Sequence, residues 1–143
     1  MKGIIVASGK LPSFDYFSLR IAGEIVHRIT VTGTIDLERR LPLYHATLAI
    51  NESANYFCIL DNSGGHENVL SLPDIVLLDK VLIESGIEKF YGATITPDPN
   101  YSGIVKLANY SAEASNLTTD LLATQDPAEA ERFIQARLGS VTG

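Results

Sequence analysis

The stretch that most constrains the fold is NYFCILD, Asn55–Asp61, in which the apolar residues Tyr56 to Leu60 follow one another without a polar break. A strand with one wet face alternates apolar with polar residues at period two. An unbroken run of this length belongs instead to a central strand covered on both faces or at a crossover. The polar stretch DNSGGHEN (Asp61 to Asn68) then leads to Ser71-Leu72-Pro73-Asp74, which has the features of a helix start. Serine can accept from free amides, proline is tolerated in the first turn, and an aspartate suits the positive helix end. Ile75, Leu78, Leu82 and Ser85 line one face of that helix, Val76, Leu77, Val81 and Ile83 widen it, and Gly86 supplies the stop. The breadth of this apolar face predicts a largely buried helix over Ser71 to Ser85.

The same reading extends in both directions. Residues 3–7, 13–22 and 25–33 alternate and are rich in aromatic and β-branched residues, predicting strands with a turn at Gly23-Glu24. His27 shares a strand face with Ile25, Ile29 and Val31, which fits a structural histidine. Asp36 stands as the N-cap of a helix carrying Leu37, Leu41, Tyr44 and Leu48 to about Asn51, with Pro42 either disturbing its first turn or marking its true start. Downstream come a strand over Lys89 to Thr96, a turn PDPN, a weaker helix from Ser102 to about Asn116, and a strand over Asp120 to Gln125. A capping box at Asp126 to Glu129 opens a last helix, Pro127 to Leu138, and residues 138–143 read as a flexible tail. This order predicts one α/β domain with a mixed sheet: antiparallel strands first, then β-α crossovers, with about four helices mainly on one face.

Composition narrows the function classes. A chain of 143 residues, 45% hydrophobic and 20% charged, has the size and make-up of one soluble domain. No apolar window approaches the roughly eighteen residues of a membrane span, and the apolar run near the N-terminus is too short for a secretory leader, so a cytoplasmic location is expected. Net charge is −6 with no basic stripe, which argues against nucleic acid. The one basic pair, Arg39-Arg40 in LERR, reads as a solvated helix face. Cys58 is the only cysteine, excluding an internal disulfide, and its place inside YFCIL suits a small buried hydrophobe. His27, His45 and His66 are too scattered for metal-ligand spacing. No cofactor-binding motif is present, so no metal and no cofactor are expected.

The element order resembles the STAS fold, named for sulphate transporters and anti-sigma factor antagonists and typified by SpoIIAA. In that family a strand ending in a Leu-Asp-Leu-Ser-Gly-like run leads to Asp-Ser-Ser-Gly at a helix start. ILDNSG (Ile59 to Gly64) matches the first part and Ser71 falls at the second serine, while LLATQDPAEAERFI (Leu121 to Ile134) is similar to the family's last strand and helix. The chain departs from the phosphoacceptor motif, with Val69 and Leu70 in place of the acid and first serine, and Leu72 in place of the glycine. The resemblance therefore implies a divergent SpoIIAA-like branch, and a regulatory module that works through a protein partner.

Three candidate sites follow. Ser71, with Ser63, Asp61, His66 and Asp74 around it, is a partner-binding, anion-binding or phosphoacceptor region, and Ser71 is also a plain helix cap. The Asp61 to Asn68 loop holds residue types a hydrolase could use, but residues so close in one loop rarely converge. Tyr91, Tyr101 and Tyr110 could frame a pocket for a small apolar ligand. The leading expectation is a non-enzymatic interaction module with a protein partner, then a small-molecule or lipid carrier, then a hydrolase; self-association is compatible with each.

Overall fold

Alternation at the start of the chain becomes two hairpins. In the computed structural model, which describes residues 1–97 and 116–142, strand β1 (Ile4–Leu11) pairs antiparallel with β2 (Phe14–Ile21), and β2 with β3 (Glu24–Val31). The second hairpin turns on Ala22 (φ 53°) and Gly23 (φ 82°), two left-handed residues of the kind that match the twist of paired strands. That is one residue earlier than the sequence predicts, because Glu24 is already paired with Ile21.

From β3 onward pairing is parallel, through β4 (Asn55–Asp61), β5 (Lys89–Ile95) and β6 (Thr118–Thr124), so the sheet is six-stranded and ordered as in the chain. Three helices are described: α1 (Leu37–Leu48), α2 (Leu72–Glu84) and α3 (Pro127–Thr142). Four were expected; the fourth, Ser102 to Asn116, lies outside the described residues except at its end, where Asn116 is a turn residue.

Of the described helices, α1 and α2 share one face of the sheet and α3 covers the other. Tyr56, Cys58 and Leu60 of β4 pack with Leu43 and Tyr44 of α1 and with Leu78 and Leu82 of α2. Phe57 and Ile59, pointing the other way, pack with Ala130, Ile134 and Leu138 of α3. The unbroken apolar run of β4 requires this: a strand apolar on both sides has to be covered on both sides.

Helix boundaries follow their caps. The Asp36 carboxylate accepts from the Arg39 main-chain N–H at 2.9 Å, and Pro42 is accommodated within α1 rather than starting it. Past Leu138, α3 takes in Gly139 to Thr142, residues that composition alone assigns to a tail, and Val141 packs partly buried against the α3 core. Among the described residues no helix is long and apolar enough to cross a membrane.

Candidate functional site

The loop between β4 and α2 is tied down by its main chain and by one buried side chain. Asn62, only 2% exposed, donates from Nδ2 to the His66 carbonyl and accepts the His66 N–H at Oδ1, both at 2.9 Å. Its own N–H donates to the Ile95 carbonyl at 2.7 Å, anchoring the loop to the end of β5. Gly65, at φ 69°, allows the tight reversal between. Further along, Ile35 N–H donates to Glu67 O at 2.8 Å and Val69 N–H to Ile35 O at 3.0 Å. Sequence reasoning passed over Asn62, although a polar residue closing a buried strand signals just such a role.

This arrangement gives the predicted loop residues separate surroundings. Asp61 accepts the Ser63 main-chain N–H at 2.9 Å, forming a local turn. Ser63 and Glu67 are exposed, and the His66 ring lies against Gly64. Among the described residues no hydrogen bond joins the Ser63 hydroxyl to His66. No group of three His, Cys, Asp or Glu side chains there could hold a metal ion.

Ser71 caps α2 in a reciprocal box. Its Oγ accepts the Asp74 N–H at 3.3 Å, and the Asp74 carboxylate accepts the Ser71 N–H at 3.0 Å. Ser71 remains exposed. Ile75, Leu78, Asp79 and Leu82 turn inward. Val76, Leu77 and Ile83, expected to widen the buried face, are instead 44%, 41% and 37% exposed. Leu72, Val76 and Ile83 fall within about 40° of one another on the helix and form an apolar stripe on its outside, about 16 Å long at 1.5 Å per residue, while Leu77 lies about 100° round from Val76 and the exposed Val69 belongs to the loop before the helix.

Beneath α2 lies an open cavity of about 100 Å³, lined among the described residues by α1, α2 and the facing side of β4 to β6. Leu60, Leu78, Leu82 and Phe90 give it apolar walls, and Arg40, Tyr44 and Asp79 give it a polar end. Of the three tyrosines predicted to frame a pocket, Tyr91 is not among the residues that line this one. Tyr91 is on the opposite face of the sheet, stacked on Phe57 with ring centroids 4.7 Å apart, while Tyr101 and Tyr110 lie outside the described residues.

Arg40 also departs from expectation. Arg39 sits at the surface in an ion pair with Asp36, but Arg40 is only 9% exposed, its guanidinium 5.2 Å from the Tyr44 ring centroid and 5.7 Å from that of Phe14. The signal was available: Arg40, Tyr44 and Thr47 recur at helical spacing on the buried stripe of α1, as Ile75, Asp79 and Leu82 do on α2. Burial raises the Tyr44 pKa, with Arg40 opposing that shift and Asp79 reinforcing it. The Cys58 thiol, on the cavity wall, is pushed up to about 11 by burial, which keeps it protonated and unreactive.

His27 is fully buried beside the cavity wall. Its Nδ1 is 2.7 Å from Ser18 Oγ and its Nε2 is 3.0 Å from Asn51 Oδ1, so both ring nitrogens are satisfied. Burial lowers its pKa to about 4, with the Asn51 hydrogen bond opposing the shift.

Comparison with known proteins gave no match among family models and none among curated proteins. Among solved structures, the chain is similar to an uncharacterized protein of the DUF3478 family, with a SpoIIAA-like fold, from Shewanella loihica PV-4. The TM-score is 0.54 at 16% identity, over 90% of this chain and 98% of that one. The likeness shows the fold: this chain has a SpoIIAA-like fold.

Proposed function

We propose, with that fold as premise, that the chain is a non-enzymatic interaction module whose partner surface is the outer face of α2 and the Val69 to Ser71 approach to it. The observation that carries this reading is the exposed stripe of Leu72, Val76 and Ile83, with the exposed Val69 in the approach to it. Apolar residues gathered on one helix face cost solubility, and they persist where something covers them. The approach to the helix supports the reading too, since the main-chain bond from Val69 to Ile35 holds it and little conformational freedom is lost on binding. Ser71, exposed at the end of the stripe, is the position where a phosphate would add close to two negative charges at the rim of the surface. Asp74 shares the capping box with Ser71, and Asp61, Ser63 and His66 belong to the loop that leads to it. A cytoplasmic setting goes with this reading, where a lone thiol such as Cys58 stays reduced.

The test uses Val76→Glu and Ile83→Glu in the full chain. Each should leave the melting temperature within a few degrees, because both side chains already face water. Each should also remove a shared set of proteins that wild type captures from lysate, while a charge change on exposed Arg132 of α3 leaves that set intact. Identical captured sets for all the proteins would end the reading. A wild-type dimer dispersed by Val76→Glu would identify the partner as a second copy of the chain.

A further inference from the structure

We propose that the free edge of β1 is a self-association surface, and that the chain forms a two-fold symmetric dimer in which β1 of each copy pairs antiparallel with β1 of the other, centred on Ile5. Among the described residues β1 is the outermost strand and has β2 as its one neighbour. Half of the main-chain N–H and C=O groups of such a strand point away from the sheet. Ile4 and Ile5 are 71% and 62% exposed, more than any other large apolar side chain described, those of α2 included.

That pair dictates the shape of the occupant. Consecutive strand residues point to opposite faces, so Ile4 and Ile5 leave one apolar side chain on each side of the sheet edge. A helix or a small molecule resting on one face would cover only one of them. A strand laid along the edge takes up the free main-chain groups and brings side chains to both faces at once. Lysines and bulges are the usual guards of an open edge. Here Lys10 stands at the far end of β1, and the bulge at Val6 separates it from the stretch Gly3 to Ile5.

Self-complementarity identifies the occupant as a second copy. Val6 is the extra residue where the β1–β2 register shifts between Ile5 and Ala7. With Ile5 set against Ile5 of the second copy and Val6 again left out of the count, Ile4 comes opposite Ala7, Gly3 opposite Ser8 and Lys2 opposite Gly9. Apolar meets apolar at the centre, where opposed β-branched side chains stabilise a sheet, and no two like charges face each other. Met1 to Phe14 holds two lysines and no acid in a chain of net charge −6, so contact along this edge keeps the acidic surfaces of the two copies apart. Pairing like edges also closes the assembly at two copies, whereas β1 set against β6 of the next copy would continue without end.

The experiment is sedimentation equilibrium on the full chain from about 1 to about 300 µM, since a contact of one strand on each side falls at the small, transient end of interfaces. Wild type should pass from monomer to dimer across this range. Ile5→Lys and Ile5→Glu set like charges against each other at the two-fold axis, so each should stay monomeric, and an equimolar mixture of the two should recover the dimer. Val76→Glu should dimerise as wild type does, which separates this edge from the partner surface of α2. Ile5 is mostly exposed, so its variants should melt within a few degrees of wild type. On wild type alone, amide exchange over Gly3 to Ser8 should slow as concentration rises while exchange over α3 does not, a readout that needs no variant. The proposal is overturned if wild type stays monomeric, if either Ile5 variant dimerises alone as wild type does, or if Val76→Glu disperses the dimer. It is equally overturned if the mixed variants stay monomeric, or if exchange over β1 is independent of concentration.

Discussion

The two faces of the sheet are built from alternate residues of the same strands, yet they differ in what they bury. Beneath α3 the interior is Val26, Phe57, Ile59, Ala93, Ile95, Ala130, Ile134 and Leu138, an apolar layer closed by ion pairs at its rim, Arg28 to Glu131 at 2.6 Å and Arg137 to Asp120 at 2.8 Å. Beneath α1 and α2 the interior also holds Ser18, His27, Arg40, Thr47 and Asp79, and it is there that the cavity opens. Polar groups in a core stabilise less than apolar ones of the same shape unless fully satisfied. One face is therefore built for stability, and the other gives up stability in exchange for polar groups and space. The loop anchored by Asn62 and the apolar stripe of α2 both belong to the second side.

The largest expected effect lies on the apolar face. Phe57 is fully buried and stacked on Tyr91, so Phe57→Ala should destabilise by about 4 kcal/mol through lost transfer energy and a cavity the layer cannot close. Chemical denaturation would measure it. A loss no greater than that from Leu78→Ala would break the contrast between the faces.

The second effect belongs to the polar face and depends on pH. His27 folds as neutral imidazole, its pKa lowered from the usual 6.5 to about 4. Above pH 6.5 both folded and unfolded chains carry it neutral, and its contribution to stability is complete. As the pH falls below 6.5 the unfolded chain takes up a proton that the folded chain refuses. Stability then declines until about pH 4, by about 3 kcal/mol in all. Urea midpoints between pH 7 and pH 4 should show this slope, and His27→Gln should flatten it. A slope unchanged in that variant would assign the acid sensitivity to other groups.

Leu78→Ala comes next, at about 2 to 3 kcal/mol, the lower part of the range for buried leucine. Leu78 is 4% exposed but borders existing space, so it has fewer neighbours to lose than a side chain packed on every side. A cost well above that of Phe57→Ala would mean the cavity is filled in solution.

How much of this could be read from the sequence depended on the kind of signal. β4 was legible to the residue, because an apolar run between polar ends admits few alternatives, and both helix caps, Asp36 and Ser71, lay where their side chains required. The same run of β4 also implied a second covering layer, which α3 supplies opposite α1 and α2. Arg40 and Asp79 were misread or passed over because residue type outweighed position: charged side chains are seldom buried, but helical spacing put both on inward faces. The outward side chains of α2 were hidden for the opposite reason, since Val76, Leu77 and Ile83 are apolar and nothing in their type says that they face water. Strand parity puts Tyr91, one position away from Gly92, on the other side of the sheet from the cavity beneath α2.

The smallest effect tests whether Ser71 does more than cap a helix. Its Oγ accepts the Asp74 N–H, so Ser71→Ala should cost about 1 kcal/mol, a shift of a few degrees in melting temperature. Ser71→Asp replaces one good cap with another, and its stability should stay near wild type, the charge of Asp74 one turn on offsetting some of the gain at the positive helix end. The two variants thus separate folding from recognition. If Ser71 belongs to the partner surface of α2, Ser71→Asp should weaken capture at unchanged stability, while Ser71→Ala should bind normally despite being less stable. Capture that follows stability, weaker for Ala and intact for Asp, would reduce Ser71 to a cap and confine the partner surface to the apolar stripe.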